Sequence, residues 1–223
     1  MGIDPKIVTK QENVFNSPLR WSVGTKIFTC SMSDFFHEGA DEWRDDAWDV
    51  IKKTPQHTYL ILTKRPERIK ECLPVDWCRE KYSHVWLGVT VESQNEVHRI
   101  STLGEIACEI KWVSFEPLLS DIQLTQKELD IIQWGVIGGE SGYRNEVRKT
   151  ELSWFNSIMF QLISYNVPVF FKQFGSSYHY DEFKLKDWHG QNYCDNFPSR
   201  YRIRQYPLYR YNEMEINLLN KTS

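Results

Sequence analysis

Six short apolar runs, separated by stretches of helical periodicity, constrain this chain more than any other feature. They fall at residues 26–32 (KIFTCSM), 58–63 (TYLILT), 85–91 (VWLGVTV), 110–115 (IKWVSF), 133–138 (QWGVIG) and 169–174 (VFFKQF). Each is nearly continuous in apolar residues instead of alternating, as in strands buried on both faces, and such burial is typical of parallel sheets. Between the runs, residues 41–53, 66–73, 93–103 and 151–165 read as helices. In the first, Trp43, Ala47, Val50 and Ile51 share a face, and in the last Leu152, Phe155, Met159, Leu162 and Ile163 do so. Pro66 suits a first helical position, and Ser93 and Thr150 suit N-caps.

Strand and helix in alternation demand right-handed crossovers, leaving a partial or closed (β/α) barrel or a doubly wound open sheet. The expectation is α/β with a mostly parallel sheet in the barrel form. Alternation ends at Gly175, so residues 1–175 read as one barrel-like domain with a short N-terminal arm. Residues 176–223 read as an irregular C-terminal appendage, in which SRYRIRQYPLYR alternates as a half-exposed strand would.

The 223 residues suffice for one sizeable core, and 41% hydrophobic against 26% charged residues rules out wholesale disorder. A net charge of −3 argues against non-specific polyanion binding as the main activity. No apolar run reaches membrane-spanning length and the N-terminus lacks an apolar signal core, so the expected location is cytoplasmic, with no membrane partner. Five cysteines, at 30, 72, 78, 108 and 194, form no C-x-x-C pair and read as reduced thiols. No metal site is expected from them. Nine tryptophans could stack on bases or sugars, but most lie within strand or helix patterns and read as packing.

A charged residue stands at or just beyond each strand: Asp34 after the first, Lys64 and Arg65 after the second, then Glu92, Glu116 and Glu140, with Lys172 near the end of the sixth. Loops after parallel strands gather on one rim, where ligands bind and catalysis occurs. Glu116, Glu92, Glu140 and Asp34 are therefore the candidate acid/base residues or metal ligands, and Lys64, Arg65 and Lys172 the candidate anion holders. In GGESG, Gly138, Gly139 and Ser141 could expose backbone N–H groups to a phosphate, although a tight turn asks for the same glycines. Pro117 biases Glu116 towards an extended backbone.

His37 follows the first strand and could act at the rim. His57 and His84 precede their strands, at the opposite end; His179 and His189 lie in the tail. Arg200, Arg202 and Arg204, at period two, form either a phosphate-binding stripe or partners for acidic neighbours. Nucleic-acid contact is the weaker expectation.

At SMSDFFHE, TPQHTYLILTKRPERI, VWLGVTVE, VSFEPLL, VIGGESG and PVFFKQFG, over about residues 18–175, the chain resembles the uncharacterised phage and prophage family named after gene products thirty-seven and sixty-eight. Members usually begin with a C-x6-C-x2-C segment followed by tyrosine, which resembles the iron–sulfur ligand set of radical S-adenosylmethionine enzymes. The resemblance thus implies an iron–sulfur cluster and S-adenosylmethionine as family cofactors, but this chain lacks that segment. It begins at about the place of the family's next strand, with PLRW at 18–21. GGES resembles the glycine-glycine-glutamate turn of radical enzymes, yet it falls on the fifth strand, so no S-adenosylmethionine role passes to Glu140. Two functions follow: a barrel enzyme acting on a small polar or phosphate-bearing substrate, or a non-catalytic module that binds nucleic acid or protein. Oligomeric state is not encoded in any motif.

Overall fold

A computed structural model describes residues 8–21, 24–143, 146–178 and 199–207. Six strands, β1 (Lys26–Phe28), β2 (Thr58–Thr63), β3 (Val85–Thr90), β4 (Ile110–Phe115), β5 (Trp134–Gly138) and β6 (Val169–Gln173), form one sheet in sequential order. Every neighbouring pair is parallel. The sheet curls into a half-barrel, the partial form of the expected α/β barrel. The helices are α1 (Glu12–Phe15), α2 (Asp41–Lys53), α3 (Pro66–Cys72), α4 (His98–Gly104), α5 (Gln126–Leu129) and α6 (Leu152–Ser164).

Alternate residues of each strand feed two apolar clusters. The outer one joins Ile61, Leu87, Val113, Ile137 and Phe171 to the helices through Trp48, Ile69, Leu103 and Phe155. The inner one consists of Trp86, Ile110, Trp112, Trp134 and Val136, flanked by Leu60, Leu62 and Phe170. β3 and β5 are buried at every position, which explains their nearly continuous apolar sequence. Gly88 makes this inner floor possible: a Cβ there would lie 2.4 Å from Trp112 Cε2. Trp48, Trp86, Trp112 and Trp134 are buried, in keeping with packing over surface stacking, while Trp21 is exposed.

Several sequence expectations need correction. The first run stays extended only to Phe28, because Cys30 adopts φ 53 and Ser33 N–H donates to the Cys30 carbonyl, closing a turn. Residues 93–103 split into a 3₁₀ turn, Gln94–Glu96, and α4; Ser93 does cap the turn, with Glu96 completing a capping box. Thr150 is not an N-cap: Glu151 holds that position, and the buried Thr150 hydroxyl donates to the Leu118 carbonyl. On α2 the buried set includes Arg44 and Trp48, with Trp43 and Ala47 only half-buried. Arg44 tolerates burial because it donates to the Phe35 and His37 carbonyls and pairs with Asp41. On α6, Ile163 faces solvent and Ile158 takes its place inside.

Of the appendage, residues 199–207 are described. The alternating stretch is strand-like only over residues 203–205, where Phe171 N–H donates to the Ile203 carbonyl, Gln205 N–H donates to the Val169 carbonyl and Arg204 bridges Phe170 in antiparallel sense; Ser199–Tyr201 instead form a 3₁₀ turn, so Arg200 does not share a strand face with Arg204. Tyr201 is buried against Phe171 and Phe174. His179, His189 and Cys194 lie outside the described residues.

Candidate functional site

The parallel order brings Asp34, Lys64, Glu92, Glu116, Glu140 and Lys172 to the C-terminal edge of one sheet, above the tryptophan floor. They do not behave alike. Asp34 is saturated by donors: its oxygens accept from the Thr63 hydroxyl at 2.8 and 2.9 Å, from the Phe36 and Lys64 N–H groups at 2.9 Å, and from Arg65 Nη1 at 3.2 Å. A carboxylate so engaged fixes the β2–α3 turn and thereby the direction of Lys64. Arg65 is drawn back towards Asp34 and Glu38.

Lys64 reaches across to Glu92, whose second oxygen accepts from Arg99 Nη1 at 2.8 Å. Arg99 also donates to the Thr90 carbonyl, which pins it against the end of β3. Beyond β5, Arg148 grips Glu140 with Nη2 at 2.5 Å and Nε at 3.0 Å, while its N–H donates at 2.6 Å. This guanidinium holds the Glu140 carboxyl below the usual carboxylate range, and the Lys64 charge adds to the effect. Glu140 in turn raises the Arg148 pKa, with a smaller contribution from Glu92 across the mouth. Two ion pairs from separate strands therefore share one electrostatic field.

On the far side, Glu116 accepts from Lys172 Nζ at 3.0 Å and from Gln173 Nε2 at 2.8 Å. Gln173 also donates to the Ser141 hydroxyl, linking the GGES turn to β6. The Glu116–Pro117 peptide is cis. Carboxylates are recessed and cations project: Glu92 and Glu116 side chains are 13% and 16% exposed, whereas Lys64 and Lys172 are each 52% exposed.

Gly138 and Gly139 have packing reasons to be glycine. A Cβ on Gly138 would meet the Glu116 carboxyl at 3.0 Å, and one on Gly139 would lie 2.0 Å from the Phe174 carbonyl oxygen. His37 sits beside the rim, but its Nδ1 accepts from Gly39 N–H and caps a short 3₁₀ turn. Sequence reasoning passed over Arg99, Arg148, Thr63 and Gln173. Arg99 lies in the first turn of α4, six residues past Ser93, and Arg148 in a polar loop without a motif.

The four described cysteines do not converge. Cys30 and Cys78 are exposed, and Cys72 and Cys108 are buried, the latter with its thiol pushed up to about 11 by burial. Among the described residues no group of three or more His, Cys, Asp or Glu side chains could hold a metal ion. The described residues therefore do not fit an iron–sulfur cluster. No helix among them is long and apolar enough to cross a membrane.

Fold and rim together define an α/β half-barrel protein with a charged mouth at the C-terminal ends of its strands. The chain belongs to the family described as protein of unknown function, DUF5131, which matches residues 2–201. Neither the curated proteins nor the solved structures contain a significant match to it.

Proposed function

We propose that this half-barrel is a cytoplasmic enzyme of a phage or other mobile element, acting at its rim on a small polar or phosphate-bearing substrate. The carrying observation is the pair of ion pairs, Lys64–Glu92 and Arg148–Glu140, coupled across one mouth with Glu116–Lys172 beside them. Recessed carboxylates fix the stems of projecting cations, so that an incoming anion meets Lys64, Arg148 and Lys172 already oriented. Glu116 is the proposed acid/base for a substrate hydroxyl because it is recessed at the mouth beside the projecting Lys172, with Glu92 supporting it across the mouth. Glu140, held ionised by Arg148, orients that cation, and Asp34 positions Lys64. Arg65, Gly138, Gly139 and Ser141 form the supporting shell.

Motif order supports the phage setting, and a six-stranded parallel half-barrel supports descent from a radical S-adenosylmethionine-like ancestor. The alternative, a binding module using the arginine stripe, is less favoured because the Arg200 and Arg204 guanidiniums lie over the rings of Tyr201 and Phe170. A thermal-shift screen with phosphate-bearing metabolites tests the proposal. The expected result is stabilisation of the wild-type protein by at least one compound, lost in Lys64→Met and Lys172→Met. No response across the screen, together with a salt-dependent gel shift on nucleic acid, would establish the alternative.

A further inference from the structure

Between the tryptophan floor and the charged rim, the inner face carries two side chains that neither layer uses. Strand residues two apart share a face, so Thr90 follows Trp86 and Gly88 and precedes Glu92, while Ser114 follows Trp112 and precedes Glu116. The two are register partners on β3 and β4, strands about 4.8 Å apart, so one small molecule can reach both. Each is 3% exposed. The other buried polar side chains, from Arg44 to Gln173, all make hydrogen bonds, whereas among the described residues the Thr90 and Ser114 hydroxyls make none. Nor do they belong with the partnerless atoms sealed from water, such as His57 Nδ1 and Arg68 Nε, so both open towards the mouth. Their backbones are tied: the Thr90 carbonyl accepts from Arg99 and the Ser114 carbonyl from Val91 N–H. A buried hydroxyl without a partner costs stability, and two fixed side by side beneath a mouth point to a ligand that completes them.

We propose that Thr90 and Ser114 bind the hydroxylated body of a sugar phosphate whose phosphate meets Lys64, Arg148 and Lys172, a specification that rests on the rim reading above. From the floor upward the inner face presents aromatic rings, neutral hydroxyls, carboxylates and then projecting cations. Carboxylates only accept hydrogen bonds, so Glu92 and Glu116 take hydroxyl hydrogens and repel an anion set as deep as themselves. The Thr90 and Ser114 hydroxyls both donate and accept, which matches a partner that does the same. A polyol supplies such groups on a small body, whereas a hydrocarbon body would leave both hydroxyls bare. The anionic end is thereby turned outward, to the half-exposed Lys64 and Lys172. The cations set affinity for anions in general, and the strand hydroxyls, already fixed, set the choice among them.

Isothermal titration calorimetry with glucose 6-phosphate, ribose 5-phosphate and phenyl phosphate, the last carrying the anion without hydroxyls, tests this assignment on the full chain. At least one sugar phosphate should bind the wild-type protein about tenfold or more tightly than phenyl phosphate. Thr90→Val and Ser114→Ala should each weaken that sugar phosphate by roughly tenfold and leave phenyl phosphate unchanged. Their melting temperatures should equal or exceed that of the wild type, because each variant removes a buried hydroxyl that the fold does not satisfy. Variants that melt several degrees lower would show hydroxyls held within the fold and overturn the proposal. So would phenyl phosphate binding as tightly as both sugar phosphates, or a sugar phosphate indifferent to both substitutions, and in either case the rim reading stands. If none of the three compounds binds, the proposal falls, and the wider screen of phosphate-bearing metabolites decides the rim reading separately.

Discussion

Floor and rim rise from the same six strands yet obey different physics. Below, Trp134 packs edge to face on Trp86 and tilted on Trp112, with ring centroids 5.9 and 5.4 Å apart, and nearly all of the surface of the three rings is removed from water. Above, every candidate carboxylate is matched to a cation that remains partly in water. Burial of apolar area stabilises a fold strongly, while half-solvated ion pairs contribute little. Stability therefore resides in the apolar clusters, of which the floor is the smaller, and the rim is free to be shaped by what it binds.

Trp112→Ala should produce the largest effect, because it empties the centre of the floor and leaves Gly88 facing a cavity. A loss of about 3–5 kcal/mol, or a melting temperature lower by roughly ten degrees, is expected by calorimetry. A small change would mean that the floor adds little to the stability supplied by the outer cluster. Gly139→Ala comes next. Its Cβ would meet a backbone carbonyl that cannot rotate away, at a cost of about 1–3 kcal/mol by denaturant titration. A neutral result would return GGES to the role of a ligand cradle.

A smaller, pH-dependent effect is expected at His84, buried beneath β3 with Nε2 donating to the Ile51 carbonyl. Burial pushes its pKa below the ordinary 6.5. As pH falls beneath about 6.5 the unfolded chain takes up the proton first, so stability present above that value is lost in acid. Melting temperatures measured as the pH is lowered should fall more steeply for the wild-type protein than for His84→Gln. Parallel curves would show that His84 does not titrate in this way. Arg148→Met should be the mildest, at most about 1 kcal/mol at neutral pH. Arg148 depresses the Glu140 pKa, so its stabilisation is present above the ordinary carboxylate range and disappears as pH falls through the folded value. The gap between variant and wild type should close in acid.

The sequence made the floor more legible than the rim. Continuous runs such as VWLGVTV carry burial on both faces in their composition, and five of the six strands fall within one residue of their expected ends. The exception, β1, turned on the backbone angle of a cysteine, which no apolar count records. Rim membership was legible because strand ends in a parallel sheet share one edge. The pairing was not. Arg99 reaches Glu92 from within a helix, and Arg148 reaches Glu140 from a loop, contacts that depend on how chain segments return in space. Asp34 illustrates the limit: its carboxylate resembles its neighbours in sequence, and only the five hydrogen bonds around it mark it as a clamp.

The most direct test of a stabilising floor beneath a working rim is to measure melting temperature and ligand response together in Glu116→Gln and Lys172→Met. The Gln173 amide can still meet a glutamine at position 116, and Lys172 is half in water, so neither loss should disturb packing. Melting temperatures within about two degrees of wild type are expected, with loss of the thermal shift produced by whichever phosphate-bearing compound stabilises the wild-type protein. If both variants instead melt several degrees earlier and still respond to that compound, Glu116 and Lys172 are structural ion-pair partners, and the division between floor and rim is wrong.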